Sequence, residues 1–253
     1  MRKLLRLYYR LFRGLIIPSN TIWMGNCPKV KRSKIKFQNN ANICIGNNVI
    51  IEHSTIDVCG GELVIADNVK ISNYNIWVAE GCRLYIGPNC WLEKGDNWKN
   101  PTITLWEKSQ LYLSHHNRLR CDILCRFGGM CHIEEYNCIN ERSEIRCDEQ
   151  ISIGSFNMIS YSCRIWDTNT HSLYEDDSRR RMTQIMYPNI GAEVEKPTTK
   201  PIVIGNDCLL GERCIVLKGS KIGNKCILGV CSVIPGNDIK DGSTAVGNPI
   251  VVK

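Results

Sequence analysis

The sequence predicts an all-β solenoid built of short strands and tight turns. Three observations predict it. From Ile204 the aliphatic residues Leu210, Val216, Ile222, Leu228 and Ile234 follow at steps of six without a slip. The residue after the aliphatic is glycine at 205, 211, 223 and 229, which relaxes the backbone at a turn. Position five of each block is small or short: Cys208, Cys214, Ser220, Cys226, Ser232 and Asp238. A step of six does not fit the helical period of about 3.6. Each block therefore reads as a strand and a turn with one aliphatic pointing inward. One coil cannot bury its aliphatics alone, so coils must stack.

In chain order, residues 1–20 come first as a basic arm. Residues 1–36 hold ten Lys or Arg and no acid, so the formal +7 of the chain belongs to this segment and the remainder is slightly acidic. That distribution argues against a general nucleic-acid surface. At about 100° per residue, Arg2, Lys3, Arg6, Arg10 and Arg13 share one arc, Leu4, Tyr8, Leu11 and Leu15 the opposite one, and Pro18 ends the helix. Two readings stay open for it. Residues 1–18 contact an anionic membrane surface peripherally, or the apolar face caps the end of the solenoid. The arginines interrupt the apolar run, so it is no signal sequence, and no run of roughly eighteen apolar residues exists to span a bilayer.

Residues 21–253 form the solenoid domain. Looser blocks begin at Ile45, Val78 and Ile86, and a regular tract runs through Phe127, Ile133, Ile139, Ile145 and Ile151, then Ile153, Ile159 and Ile165. The rhythm fails after "DTNTH" and resumes at Ile202, which defines an excursion of about 172–201. The fifteen cysteines fit the same frame. Cys82, Cys90, Cys131, Cys163, Cys208, Cys214 and Cys226 stand at position five, where a thiol acts as a small apolar filler. Reduced thiols place the chain in the cytoplasm, with the arm possible at the inner face of the membrane.

The I-G-x-x-x-x blocks and the ending "AVGNPIVVK" resemble the hexapeptide-repeat acyltransferases, whose fold is a left-handed parallel β-helix. Within that family the chain is most similar to bacterial O-acetyltransferases acting on sugars of capsules and other surface polysaccharides. The resemblance covers roughly residues 40–250. It implies an acetyl-CoA-dependent O-acetyltransferase, a homotrimer with its site shared between subunits, and direct transfer without a metal or an acyl-enzyme.

Five histidines are available for the chemistry. His115 and His116, adjacent on a strand, point to opposite faces. His171 ends a polar run where the chain leaves the scaffold, which is where binding residues are displayed. The family places its general base just before such a loop, and His171 matches by position. An imidazole titrates near neutrality and can take a hydroxyl proton as the oxygen attacks a thioester. The oxyanion then needs N–H donors, which the family draws from a stretch matching 209–214. Asp167 either orients His171, binds the sugar or is a solvated turn residue. Asn140 falls where related enzymes bind the acceptor, Arg142 could meet an acidic sugar, and Trp166 could stack on one. The resemblance assigns CoA to Gly211, Cys214, Gly229, Val230 and Ser232, with Lys253 near its 3′-phosphate.

Three departures stand against the family pattern: Leu209 where Trp is usual, Pro235-Gly236 in place of Thr-Lys, and Pro249-Ile250-Val251 near the end. A zinc site of the solenoid carbonic anhydrases would need three histidines at coil spacing, which His115, His116, His132 and His171 do not have. N-acetyl transfer to an amino sugar, or a non-enzymatic polysaccharide-binding scaffold, remain as alternatives.

Overall fold

A computed structural model describes residues 15–16, 22–96, 99–191 and 195–252. They form three long parallel sheets, and the chain visits each once per coil. Sheet 1 has ten strands, starting with Leu15–Ile16 and Lys34–Gln38. Sheet 2 has ten, starting with Ile22–Gly25 and Asn42–Ile45. Sheet 3 has eleven, starting with Lys29–Lys31 and Ile50–Glu52. Every strand pairs in parallel with the strand one coil away, except Val251–Val252, which turns back antiparallel on Thr244–Val246. This is a parallel β-helix, as the six-residue stepping requires.

The alternation is visible strand by strand. In Glu144–Cys147, Ile145 and Cys147 are buried while Glu144 and Arg146 look outward. Ile204, Leu210, Val216, Ile222, Leu228 and Ile234 all lie inside, as do Ile133, Ile139, Ile145, Ile151, Ile153, Ile159 and Ile165.

The coil length changes along the chain. After the excursion Leu209 pairs with Ile227 and Ile215 with Val233, a repeat of three sixes. Earlier, Ile51 pairs with Ile71 and Ile145 with Ile165, two residues more per coil. The longer coils bury two residues on each of sheets 1 and 2, as Ile56 with Val58 and Leu63 with Ile65 do. Shorter turns between these strands offset part of the addition. Phe127 is a casualty of the different arithmetic. It is not an inward residue but a half-buried turn residue with φ 53°, and Cys125 and Cys131 fill the interior on either side of it.

At the arm, Leu15–Ile16 pair as a strand with Ile35 and Lys36, so the amphipathic helix does not extend to them. The rest of that expectation, including the membrane contact through residues 1–18, lies outside the described residues. Among those described, no helix is long and apolar enough to cross a membrane.

All fifteen cysteines are free thiols, and the seven read as position-five fillers are buried. Burial pushes Cys90 and Cys208 up to about 11 and Cys214 up to about 12. Such thiols present almost no thiolate. A short iodoacetamide pulse on the native protein is expected to label exposed Cys27 and Cys231, and to reach Cys90, Cys208 and Cys214 only after unfolding. Peptide mass mapping checks this.

The interior is not purely apolar. One column at the turn from sheet 2 to sheet 3 reads Cys90, Asn117, Asn137, Asn157, Cys208, Cys226, all buried. Asn117 Oδ1 accepts from the Asn137 N–H at 2.9 Å, Asn137 Oδ1 from the Asn157 N–H at 2.9 Å, and Asn157 Oδ1 from the Cys208 N–H at 2.7 Å. The amides donate to the carbonyls of Ser114, Glu134 and Gly154. Each side-chain amide of this column is thereby paired, which low-dielectric burial demands.

The excursion leaves between the sheet-1 strand Arg164–Trp166 and the sheet-2 strand Ile202–Ile204. Its neck is closed by a Thr168–Thr199 bridge, by the Asn169 N–H to the Thr198 carbonyl at 3.0 Å and by the Lys200 N–H to the Asp167 carbonyl at 2.9 Å. It carries a helix, α1 (Asp176–Met186), where the sequence reading expects only a loop. Asp176 and Asp177 sit at its positive end and pair with Arg179 and Arg180 one turn on. None of its residues is buried.

Candidate active site

Sheet 1 has two ends, and the expected site residues divide between them. At the outgoing end Trp166 closes its strand and His171 stands exposed just beyond, in the mouth of the excursion. The Arg146 guanidinium lies over the Trp166 ring, 4.7 Å from its centroid. The indole Nε1 is buried without a hydrogen-bond partner.

Asp167 is not a solvated turn residue. It is fully buried, and its oxygens accept the N–H groups of Asp148 at 2.8 Å and Glu149 at 2.9 Å. Burial nonetheless outweighs those donors and raises its carboxyl above the usual range, with the nearby Asp148 adding to the rise. The side chain holds the turn of the preceding coil, one strand-end away from the imidazole.

At the incoming end lie Asn140, Arg142, Gly211, Gly229 and Val230. Asn140, Gly211 and Gly229 each follow a sheet-3 strand in their own coil, so they share one corner. Asn140 Oδ1 accepts from Arg120 Nη1 at 3.4 Å. Arg142 is exposed at a left-handed corner residue, φ 63°, over the Tyr161 ring. Gly211 is required for packing: a Cβ there would meet the Val230 nitrogen at 2.8 Å. Val230 projects into solvent.

The resemblance gives CoA mainly backbone contacts, and Cys214 and Ser232 are placed for no other kind. Both side chains are inside the prism. The Cys214 thiol donates to the Gly229 carbonyl at 2.9 Å, and Ser232 Oγ accepts the Gly247 N–H at 3.2 Å. Neither can reach a ligand on the outer face except through its backbone. The N–H groups of Leu209, Gly211, Arg213 and Cys214 are also committed, to Cys226, Leu228, Tyr161 and Gly211 carbonyls. Four of the six N–H groups in the stretch 209–214 are thus in use within the solenoid. Lys253 lies outside the described residues.

Within one chain the Asn140–Gly211 corner precedes the sheet-1 strands and His171 follows them, so the two stand at opposite ends of sheet 1. His115 and His116 do not face opposite ways. They occupy a turn, with Nδ1 atoms 2.9 Å apart, and His116 stacks on Tyr136. Among the described residues no group of three or more His, Cys, Asp or Glu is arranged to hold a metal.

Sequence reading misses the outer face of sheet 1. Glu144, Arg146 and Arg164 meet there: Arg146 Nε lies 2.6 Å from Glu144 Oε1 and Arg164 Nε 3.5 Å from Glu144 Oε2. The signal is present in the alternation of "EIRC" and "RIW", but only once the coil register aligns them.

Comparison with known proteins agrees with this architecture. Over 131 residues the chain is 29% identical to WbbJ of Escherichia coli (strain K12), provisionally named a lipopolysaccharide biosynthesis O-acetyl transferase; the match spans 52% of this chain and 62% of that protein. The structure resembles the polySia specific acetyltransferase NeuO, with TM-score 0.55 and 15% identity over 88% of this chain and 85% of that one. It also resembles the polysialic acid O-acetyltransferase OatWY, with TM-score 0.51 and 17% identity over 92% and 88%. Both likenesses show the shared β-helix fold. Residues 201–236 match the family described as bacterial transferase hexapeptide (six repeats), so this part of the chain carries the hexapeptide repeat of the bacterial transferases.

Proposed function

We propose that the chain is an acetyl-CoA-dependent O-acetyltransferase acting on a sugar hydroxyl in the synthesis of a surface polysaccharide. The observation that carries this reading is the exposed His171 in the excursion, five residues after the outward-facing Trp166 that ends the last sheet-1 strand before it. The relation to WbbJ supports both the acetyl group and the polysaccharide setting.

In this reading His171 accepts the proton of the acceptor hydroxyl as its oxygen attacks the thioester carbonyl. The tetrahedral intermediate collapses, the C–S bond breaks, and the imidazolium returns the proton to the departing thiolate of CoA. Acetyl-CoA is a co-substrate and no metal takes part. Gly211, Gly229 and Val230 bind the donor at the incoming end of sheet 1, with Cys214 and Ser232 contributing backbone only and Lys253 near the phosphates. Asn140 and Arg142 face the acceptor.

One chain separates these groups, so a second copy completes the site, and we assign a homotrimer. Met158, Leu209 and Ile227 form one register column of exposed apolar side chains on sheet 3, the kind of surface that copies of a chain cover. Light scattering is expected to give three times the 28.8 kDa of one chain. Leu209→Glu is expected to reduce this toward one chain, with loss of transfer activity.

Chromatographic release of CoA with a panel of sugars tests the activity. Products labile to mild alkali are esters, whereas stable ones are amides and move the assignment to N-acetyl transfer. No CoA release with any acceptor leaves a polysaccharide-binding scaffold.

A further inference from the structure

The outer face of sheet 1 between its two ends is rich in donors and poor in acceptors. Register places Glu144 beside Arg164, and Arg146 beside Trp166. Each guanidinium offers a rigid fork of N–H groups and no acceptor. Arg146 uses its Nε on Glu144, and Arg164 uses one nitrogen on the Arg142 and Cys163 carbonyls at 2.6 and 3.1 Å. Glu144 is thus one carboxylate shared by two arginines, with exposed Arg142 close by.

Three other acids near this face are occupied. Asp122 accepts from the Thr102 N–H and hydroxyl, Asp148 accepts a two-pronged contact from Arg126 at 3.0 and 2.8 Å, and Asp167 is buried on backbone N–H groups. The buried Trp166 N–H has no acceptor at all. The side chains of Arg146 and Arg164 are only 29% and 35% exposed, which places their excess charge where water screens it incompletely.

We propose that this face is a subsite for the carboxylate of an acidic saccharide, held by Arg146 with Arg164 beside it. The stacking of Arg146 on Trp166 fixes its guanidinium plane, so the free edge can take a carboxylate through two parallel hydrogen bonds. The strand that Trp166 ends leads on to His171 five residues later, so an acidic group held here belongs to a saccharide that extends toward the excursion. The inference rests on the sugar-acceptor reading above and narrows it from sugars to acidic sugars. The phosphates of CoA share this chemistry, and the experiment separates them.

Calorimetric binding in low salt, without any transfer reaction, tests the subsite independently of catalysis. The probes are hexamers of galacturonic acid and of α2,8-linked sialic acid, with maltohexaose as the neutral control and CoA against 3′-dephospho-CoA as the donor pair. At least one acidic hexamer is expected to bind at least tenfold more tightly than maltohexaose. Arg146→Gln is expected to remove at least tenfold of that affinity and Arg164→Gln about threefold, with CoA affinity unchanged. Glu144→Gln, which frees both arginines, is expected to tighten the acidic hexamer about threefold; a merely structural ion pair would not do this. Circular dichroism and light scattering on each variant establish that fold and assembly are intact. Equal binding of acidic and neutral hexamers overturns the proposal. So does a loss of CoA affinity in Arg146→Gln with saccharide binding untouched, which would give the anion to the donor.

Discussion

His171→Ala is expected to lower the rate of acetyl transfer by roughly 10²- to 10⁴-fold, the usual contribution of a positioned general base. Thermal unfolding should be unchanged, because the imidazole is exposed on the excursion and outside the stacked core. The loss should fall on kcat, with little change in the KM for acetyl-CoA, since in the proposed reading His171 moves a proton and Gly211, Gly229 and Val230 hold the donor. His171→Gln should be as inactive as the alanine variant: it keeps a polar group but cannot take the proton near neutrality. CoA release at saturating donor, measured on variants of equal stability, decides the matter. A variant retaining a third or more of the wild-type rate would remove His171 from the chemistry and with it the reading of the excursion mouth as an active site.

The interior of this molecule was readable because each hexad contributes one inward aliphatic, and a run such as Ile204–Leu210–Val216 admits no other geometry. The excursion was readable as a failure of that rhythm. The breakdown came where the coil lengthens. Phe127 falls on a step of six yet lies in a turn, because a strand that buries two residues and a shortened turn change the count without removing aliphatics from view. Position five puts the Cys214 and Ser232 side chains inside, which leaves only their backbone for a ligand. Helix α1 leaves little trace in the sequence because it presents no buried face; its acidic start and its paired charges are the only signals.

The candidate site was less legible for a related reason. A repeat specifies which residues face inward and is silent about what meets on the outside. Arg146 and Trp166 are twenty positions apart and become neighbours only through the register of sheet 1. Likewise Asp167, four residues from His171, looks like its partner along the chain. A strand end turns it inward, where two N–H groups of the coil below claim it. Proximity in sequence overstated one relation and concealed the other.

Asn157→Leu is expected to destabilise the fold by about 2–4 kcal/mol, although it makes a buried position more apolar. The excursion interrupts the solenoid between Asn157 and Cys208, 51 residues apart. Asn157 joins the two sides: its Oδ1 accepts the Cys208 N–H at 2.7 Å, and its Nδ2 donates to the carbonyls of Gly154 at 2.9 Å and Gly205 at 3.0 Å. Leucine strands the Cys208 N–H without an acceptor and removes the donor from both carbonyls. Each buried group left unpaired costs about 1–3 kcal/mol, and the added apolar burial returns only about 2 kcal/mol. The same column shows how to lose less. Cys90, Cys208 and Cys226 occupy the equivalent place in other coils, and the Cys208 thiol donates to the Gly223 carbonyl at 3.1 Å. Asn157→Cys should therefore cost less than half as much as leucine, whereas a column maintained by size alone would favour leucine. Denaturant unfolding at one fixed protein concentration separates the two outcomes, because any self-association makes stability concentration-dependent. Amide exchange should locate the damage: protection at Cys208 falls in the leucine variant, and coils far from the excursion keep theirs, since each coil touches only its neighbours.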